Sequence, residues 1–483
     1  MSAIGQFGSV LGCAGLALLF VARRRDLRIV GLAGWALGLA CLAAYLAPDL
    51  SPVKLGAAAG AGIVVSAVGG FALVRYPYLL AFGTLACVPA RIPVQLGDED
   101  ANLLLPLYIV VGSLVVALVW QLVVRRDSRD RELGPVAIPL AAFVAWTGLT
   151  LVWSVDLREG AIFVGAFVLP FGLLALGFAR LPWRGRFMTW LWGALVGTAL
   201  LYAAIGVYQW STREVFWNPK VIVGNAYAPF FRVNSIFWDP SIYGRYLTIG
   251  ILTALAGILL GGVRGWKLGG LYAVIAAMWV GLFFSFSQSS FVALAGGVLV
   301  AALVVWGRVA VVTAGALAVV LVLGVLAVPQ ARNRVETKSR AGVDSITSDR
   351  ATLVGQGQRI AVTHPVGGVG VGGFKRAYAD RTGLAGKRPK KAASHTTPVT
   401  VAAEEGLPGL LLFGWVCVAA LLAALRGLGR GFTSRVSFAV GLTLVAIIVH
   451  SFFYSALFED PVTWAMLGLV GLALSVPRKG GKT

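Results

Sequence analysis

Charge is scarce in this chain, and acid is scarcer than base. Only 13% of its 483 residues are charged, 20 of them Asp or Glu against 41 Lys or Arg, where a soluble domain carries about a quarter. With 58% apolar residues and a mean hydropathy of +0.84, a soluble globular fold is excluded and a membrane protein indicated. Cysteine is limited to Cys13, Cys41, Cys87 and Cys417, all inside apolar runs. None has CxxC or Cys/His spacing, so neither a disulfide framework nor a zinc site is expected. The polar segments hold no compact carboxylate cluster for a divalent cation, and no cofactor is expected. The net charge of +21 would suit nucleic acid, but no soluble domain exists to bind it; anionic lipid headgroups are the expected counterpart. The first apolar stretch ends in Arg23, Arg24 and Arg25, the wrong flank for a cleavable signal, so it reads as a first span.

Apolar runs, by contrast, are abundant. About 20 apolar residues suffice for a helix to cross the hydrocarbon. Stretches near 3–22, 29–47, 55–74, 77–96, 103–124, 135–153, 160–179, 187–210, 242–262, 268–286, 290–307, 309–328, 406–425, 436–456 and 461–476 qualify. Arginine and lysine fall in alternate connections, among them Arg75, Arg180, Arg264 and Arg426, and in the tail at Arg478. The connections between these are poor in base and often acidic, as at 97–102 and 458–460. Because basic loops stay cytoplasmic, the C-terminus is placed inside and the N-terminus outside. The expectation is an all-α polytopic bundle of about 14–15 spans with a large extracytoplasmic loop. It divides into N-terminal spans (1–210), an aromatic outer loop (211–241), further spans (242–328), a basic outer loop (329–403), and the last spans with a cytoplasmic tail (404–483).

The loop 329–403 breaks the positive-inside habit. It carries thirteen basic residues, among them Arg350, Arg359, Lys375 and the group Lys387, Arg388, Lys390 and Lys391. A basic outer loop of this length points to function and to an anionic partner at the membrane surface, such as a lipid-linked phosphate. One or two short helices are expected to lie over the bundle there. Of the three histidines, His395 follows the four clustered cations. By residue type alone it reads as a solvated loop histidine; nearby cations would hold an anion beside it and depress its pKa, keeping it available as a base. Arg232, set among Phe230, Phe231 and Phe237, reads either as a headgroup-seeking interfacial arginine or as a bidentate phosphate ligand. Arg245 lies about one turn into a span, where a charge faces a cavity or a partner; Asp239 is a candidate mate. The glycine run His364-Pro365-Val366-Gly367-Gly368-Val369-Gly370-Val371-Gly372-Gly373-Phe374 lacks the Walker ending. It reads as a tight packing turn or as a backbone cradle for an anion. Ser289 and Ser290 mark a polar break, and His450, Tyr454, Glu459 and Asp460 gather near one span end.

In their order these motifs resemble the O-antigen ligase and lipid-linked-glycan polymerase superfamily of bacterial membrane proteins. Residues 231–246 are similar to its arginine followed by an Asp-Pro turn entering a helix. Asp349-Arg350 through His364, Pro365, Gly370 and Phe374 resemble a second signature. Ser394-His395 through Glu405, Gly406 and Gly409 resemble a third. The resemblance covers about 230–415 and implies a GT-C-type glycosyltransferase, metal-independent and inverting, in the bacterial inner membrane with its active site extracytoplasmic. Donor and acceptor would be a polyprenyl-pyrophosphate-linked glycan and a glycan, lipid or protein hydroxyl. His395 would be catalytic and Arg232 a pyrophosphate ligand, with Asp239, His364 and Glu405 in support. Where many members carry a second arginine after serine, this chain reads Ser289-Ser290, leaving Arg245, Arg350 or Arg359 to supply that charge. The competing class is a transporter or flippase of a lipid-linked or anionic solute, which would place its ionisable groups near the midplane, often with inverted repeats; no repeat is visible here.

Overall fold

The computed structural model describes residues 2–46, 52–96, 99–127, 132–183, 185–227, 230–310, 312–315, 350–383, 394–428 and 431–475. It is an all-α polytopic bundle with almost no sheet. In chain order its helices are α1 (Ser2–Val21), α2 (Arg25–Leu46), α3 (Pro52–Arg75), α4 (Leu79–Cys87), α5 (Leu105–Val119), α6 (Ala137–Thr150), α7 (Leu157–Phe163), α8 (Leu169–Ala179), α9 (Gly185–Thr212), α10 (Pro219–Tyr227), α11 (Pro240–Gly261), α12 (Trp266–Ser285), α13 (Gln288–Trp306), α14 (Arg350–Thr363), α15 (Phe374–Arg381), α16 (Thr397–Leu425), α17 (Phe432–Ser451) and α18 (Pro461–Ser475). Among the described residues, eleven helical stretches are long and apolar enough to cross a membrane, and 60–75 and 461–474 form shorter apolar helices. Large apolar side chains such as Phe71, 76% exposed, and Val68, 68% exposed, cover the outside, as expected of a surface solvated by lipid.

The count differs from the fifteen stretches found by hydropathy, for local reasons. The stretch 77–96 is no crossing helix: α4 stops at Cys87, and β1 (Ile92–Leu96) pairs antiparallel with β2 (Glu99–Leu103). Pro89 and Pro93 end helical hydrogen bonding there, which an apolar window cannot register. Most of the stretch 309–328 lies outside the described residues. The basic loop 329–403 carries two short helices in its described residues, α14 and α15, and α16 begins nine residues ahead of the predicted 406.

Small residues set the closest approaches. A Cβ on Gly15 would lie 2.4 Å from the Trp35 nitrogen, and one on Gly38 would lie 2.3 Å from the Gly12 Cα, so α1 and α2 meet backbone to backbone. At one end of the bundle Glu132 accepts from Arg28 Nη1 (2.5 Å) and from Arg180 Nη2 (2.6 Å). Three basic connections predicted on one side are thereby drawn together. At the opposite end Gln6 Nε2 donates to the Val152 carbonyl (2.7 Å), Trp153 Nε1 to the Gly367 carbonyl (3.0 Å) and Arg91 Nη2 to the Glu459 carbonyl (2.9 Å). The candidate site lies at this second end.

Candidate active site

Arg232 is held by its surroundings on both main-chain and side-chain atoms. Asn225 at the end of α10 bonds the Arg232 backbone twice, Oδ1 accepting from its N–H and Nδ2 donating to its carbonyl, each at 2.9 Å. The Val233 N–H donates to the Phe284 carbonyl (3.1 Å). Arg232 Nε donates to the Ser285 carbonyl (3.1 Å), which belongs to the open C-terminal end of α12, where carbonyls lack helical partners. One guanidinium edge therefore faces the α12–α13 break. Gln209 of α9 fixes the following turn: its Oε1 accepts from the Ser235 N–H (2.7 Å) and its Nε2 donates to the Ser235 carbonyl (2.9 Å). Ser235 takes φ +52°, a left-handed geometry that needs such support. Asp239 Oδ1 accepts from the Ser241 N–H (2.6 Å), capping α11.

His395 is held from the other direction. It is half-buried with φ +55°, a costly backbone state for a non-glycine residue that persists only where neighbours impose it. Ser394 Oγ donates to the Thr396 carbonyl (2.8 Å) and pairs with Thr400 Oγ1, tying the residues around His395 to the first turn of α16. Two turns on, α16 kinks at Gly406 (φ +71°). In a continuous helix the N–H of residue 408 would bond the Glu404 carbonyl, but Pro408 has none. The Gly370 N–H takes that carbonyl instead (2.9 Å), the Val369 N–H takes the Ala403 carbonyl (2.9 Å), and the Leu407 N–H turns to the Pro365 carbonyl (2.8 Å).

The glycine run is thus a packing device, with the N–H groups of Gly368, Val369, Gly370, Gly373 and Phe374 bonded within the protein. A Cβ on Gly368 would lie 2.2 Å from the Glu404 carbonyl carbon, and one on Gly372 would lie 2.2 Å from the Gly160 nitrogen. Of the two readings offered by its composition, the packing turn is the one adopted. Glu405 is buried and accepts from Thr147 Oγ1 at 3.1 Å, while its carbonyl accepts from Trp146 Nε1 (2.9 Å). Glu404 Oε1 accepts from the Phe374 N–H (3.1 Å).

A series of hydrogen bonds and one ring contact runs from the His395 segment to Arg232. Thr397 Oγ1 donates to the Tyr454 carbonyl (3.5 Å), the Tyr454 and His450 rings are 5.5 Å apart, and His450 Nε2 bonds Ser289 Oγ (3.0 Å). Ser289 Oγ meets Ser287 Oγ (3.1 Å), the Ser287 N–H donates to Ser285 Oγ (3.2 Å), and the Ser285 carbonyl holds Arg232. Beside the Ser394 and Thr397 positions lies a cavity of ≈ 140 Å³, bounded by the kink of α16, the end of the glycine run and the α17–α18 connection. Among the described residues, no three His, Cys, Asp or Glu side chains gather in a set able to hold a metal ion.

The remaining predicted residues are placed as follows. Arg245 is 2% exposed and pairs with Asp460 Oδ2 at 2.6 Å. The anticipated partner Asp239 is instead the N-cap of α11, its carboxylate occupied by the first turn. Ser290 is buried against Gly244, with its Oγ 2.8 Å from Ser287 Oγ. Arg359 is exposed on α14 and His364 is exposed at its end, with Nδ1 3.0 Å from Thr363 Oγ1. The Arg350 side chain, and Lys387, Arg388, Lys390 and Lys391, lie outside the described residues. Gln209 and Asn225, which sequence reading passed over, fix the Arg232 turn; a lone glutamine near the end of an apolar run was the available signal.

No curated protein matches the chain. Residues 271–414 match the O-antigen ligase family. The matched stretch runs from within α12 into α16, taking in the serine break, the glycine run, His395 and the kink, with Arg232 ahead of it. Within this polytopic helical membrane bundle, the stretch 271–414 is thus similar to the O-antigen ligase family.

Proposed function

We infer that the protein is a membrane glycosyltransferase that moves a glycan from a polyprenyl-pyrophosphate carrier to an acceptor hydroxyl, on the outer face of the bacterial plasma membrane. The observation that carries the reading is a chain of contacts at one end of the bundle, hydrogen-bonded from the Arg232 turn through the serines to His450 and continued by the His450–Tyr454 ring contact to Thr397 of the His395 segment. The acceptor oxygen attacks the anomeric carbon as the carbon–oxygen bond to the diphosphate breaks, in one inverting displacement. The proton of the acceptor hydroxyl passes to the His395 imidazole, and negative charge grows on the departing diphosphate. Arg232, its plane set by the Ser285 carbonyl, neutralises that charge in a partly dry site where such contacts are strong. Arginine then does what a divalent cation does elsewhere, and the reaction proceeds without a metal.

The test is reconstitution with a polyprenyl-pyrophosphoryl oligosaccharide and candidate acceptors, following bond formation and released carrier. His395→Ala is expected to lower transfer by about 10²-fold or more while carrier binding persists. Transfer at the wild-type rate in that variant would remove His395 from the chemistry. Solute flux across sealed vesicles with no new glycosidic bond would instead establish a transporter.

A further inference from the structure

We propose that the cavity lined by Ser394 and Thr397, the residues flanking the His395 turn, seats the sugar of the acceptor, not the donor diphosphate, and selects uncharged hydroxyl-rich rings; this rests on the transfer reading above. The lining has the chemistry that recognises a sugar. Ser455 offers a hydroxyl; Ser394, Thr397 and Thr400, whose hydrogens go to protein carbonyls, offer acceptor lone pairs; Glu404 and Glu459 offer carboxyls. A carboxyl group takes up hydroxyl hydrogens in either protonation state. Phe163, half-buried at one wall, offers an apolar ring face, while Phe374 and Phe458 are buried behind. At ≈ 140 Å³ the cavity is well below the roughly 300–1,000 Å³ typical of sites for drug-sized ligands, which suits a single ring.

Its charge argues against the diphosphate. Among the described residues, Lys375 is the cation in the lining, and its Nζ is 2.5 Å from Glu159 Oε1. Glu159, Glu404 and Glu459 line the cavity as well, while the Glu405 carboxyl is turned to Thr147, so an anion entering here would meet carboxyls and one neutralised ammonium. The cationic Arg232 turn lies at the far end of the chain of contacts, beyond His450 and the serines. The two substrates are therefore sorted by charge, with the His395 segment between their seats.

The experiment is ligand-detected NMR in nanodiscs with methyl glucoside, methyl glucuronide and inorganic pyrophosphate as probes, alongside transfer kinetics. Ser455→Trp should fill the cavity, and Glu404→Gln, which keeps size and shape, guards against a folding artefact. Methyl glucoside is expected to bind at least tenfold more tightly than methyl glucuronide and to lose that binding in Ser455→Trp. Acceptor KM should rise at least tenfold in Ser455→Trp and several-fold in Glu404→Gln, with pyrophosphate binding within twofold of wild type. Displacement of pyrophosphate by Ser455→Trp, or an acceptor KM unchanged in both variants, would overturn the assignment. A wild-type protein that binds the glucoside in a Ser455→Trp-sensitive way but makes no glycosidic bond would keep the sugar seat and defeat the transfer reading.

Discussion

Arg245 separates two roles that an arginine in a membrane helix can play. Its guanidinium is 2.6 Å from Asp460 Oδ2, and the two side chains are 2% and 6% exposed. At that separation the attraction is worth about 6 kcal/mol at an effective dielectric near 20, set against the desolvation of both ions. Removing one partner strands the other charge, at a cost of about 3–5 kcal/mol. Arg245→Met should therefore lower the unfolding free energy in mixed micelles by that amount. Asp460 also caps α18, its Oδ1 accepting from the Val462 N–H at 2.9 Å, so the partner change is Asp460→Asn, which keeps a cap acceptor. In the double variant neither member of this pair is charged, and stability should return to within about 1 kcal/mol of wild type. If Arg245 is structural, pyrophosphate binding and transfer return with it. A double variant that regains stability yet binds no pyrophosphate would refute this reasoning and make Arg245 a donor ligand.

Gly406→Ala places a Cβ 2.5 Å from the Val366 carbonyl oxygen at φ +71°, ψ −169°; that extended positive-φ geometry, open essentially to glycine, costs another residue about 1–3 kcal/mol and the overlap about 1–3 kcal/mol more. Its thermal midpoint should fall well below wild type, whereas Gly414→Ala, in the same helix with nothing within 4 Å, should leave it unmoved. For Glu459, burial raises the carboxyl above its ordinary value of 4.5, with Arg91 opposing. The folded state thus prefers the neutral acid, so its stabilisation is complete below 4.5 and is lost as pH rises through the raised value. Glu459→Gln should remove this dependence: the wild-type midpoint minus that of the variant falls as pH climbs from 4.5, and a flat difference would exclude the effect.

The bundle was legible because run length is a local property. Stretches such as 135–153 and 290–307 return as Gly134–Trp153 and Gln288–Trp306, since an apolar run in lipid has no other way to satisfy its backbone. Run length misleads at 77–96, where two prolines outweigh hydropathy. The site was legible in its parts and not in their joining. Ser289 and His450 are 161 residues apart yet 3.0 Å apart in space, and nothing in either neighbourhood specifies the other. Arg245 was identifiable as needing a partner, but proximity in sequence favoured Asp239 over Asp460, 215 positions away. Composition also could not tell whether the glycine N–H groups faced an anion or a helix.

The kink and the glycine run are two halves of one structure. Within a membrane, an unwound turn survives only where something replaces the hydrogen bonds it gives up. Pro408 frees the Glu404 carbonyl, and the turn at Gly406 frees the Ala403 carbonyl and the Leu407 N–H. All three are taken by main-chain groups of 365–370. The run can come so close because a side chain at Gly368 or Gly406 would collide with the opposing backbone. Thr397 and His395 sit at the start of the helix segment that this exchange anchors, and Glu404 and Glu405 are turned in opposite directions by it, one toward Phe374 and the other toward Thr147. The span from the His395 segment to the kink then forms one side of the cavity, which Ser394, Thr397, Thr400, Val401, Glu404 and Glu405 line in turn. The proline, the glycines and the histidine are for that reason parts of one positioning element rather than three separate motifs.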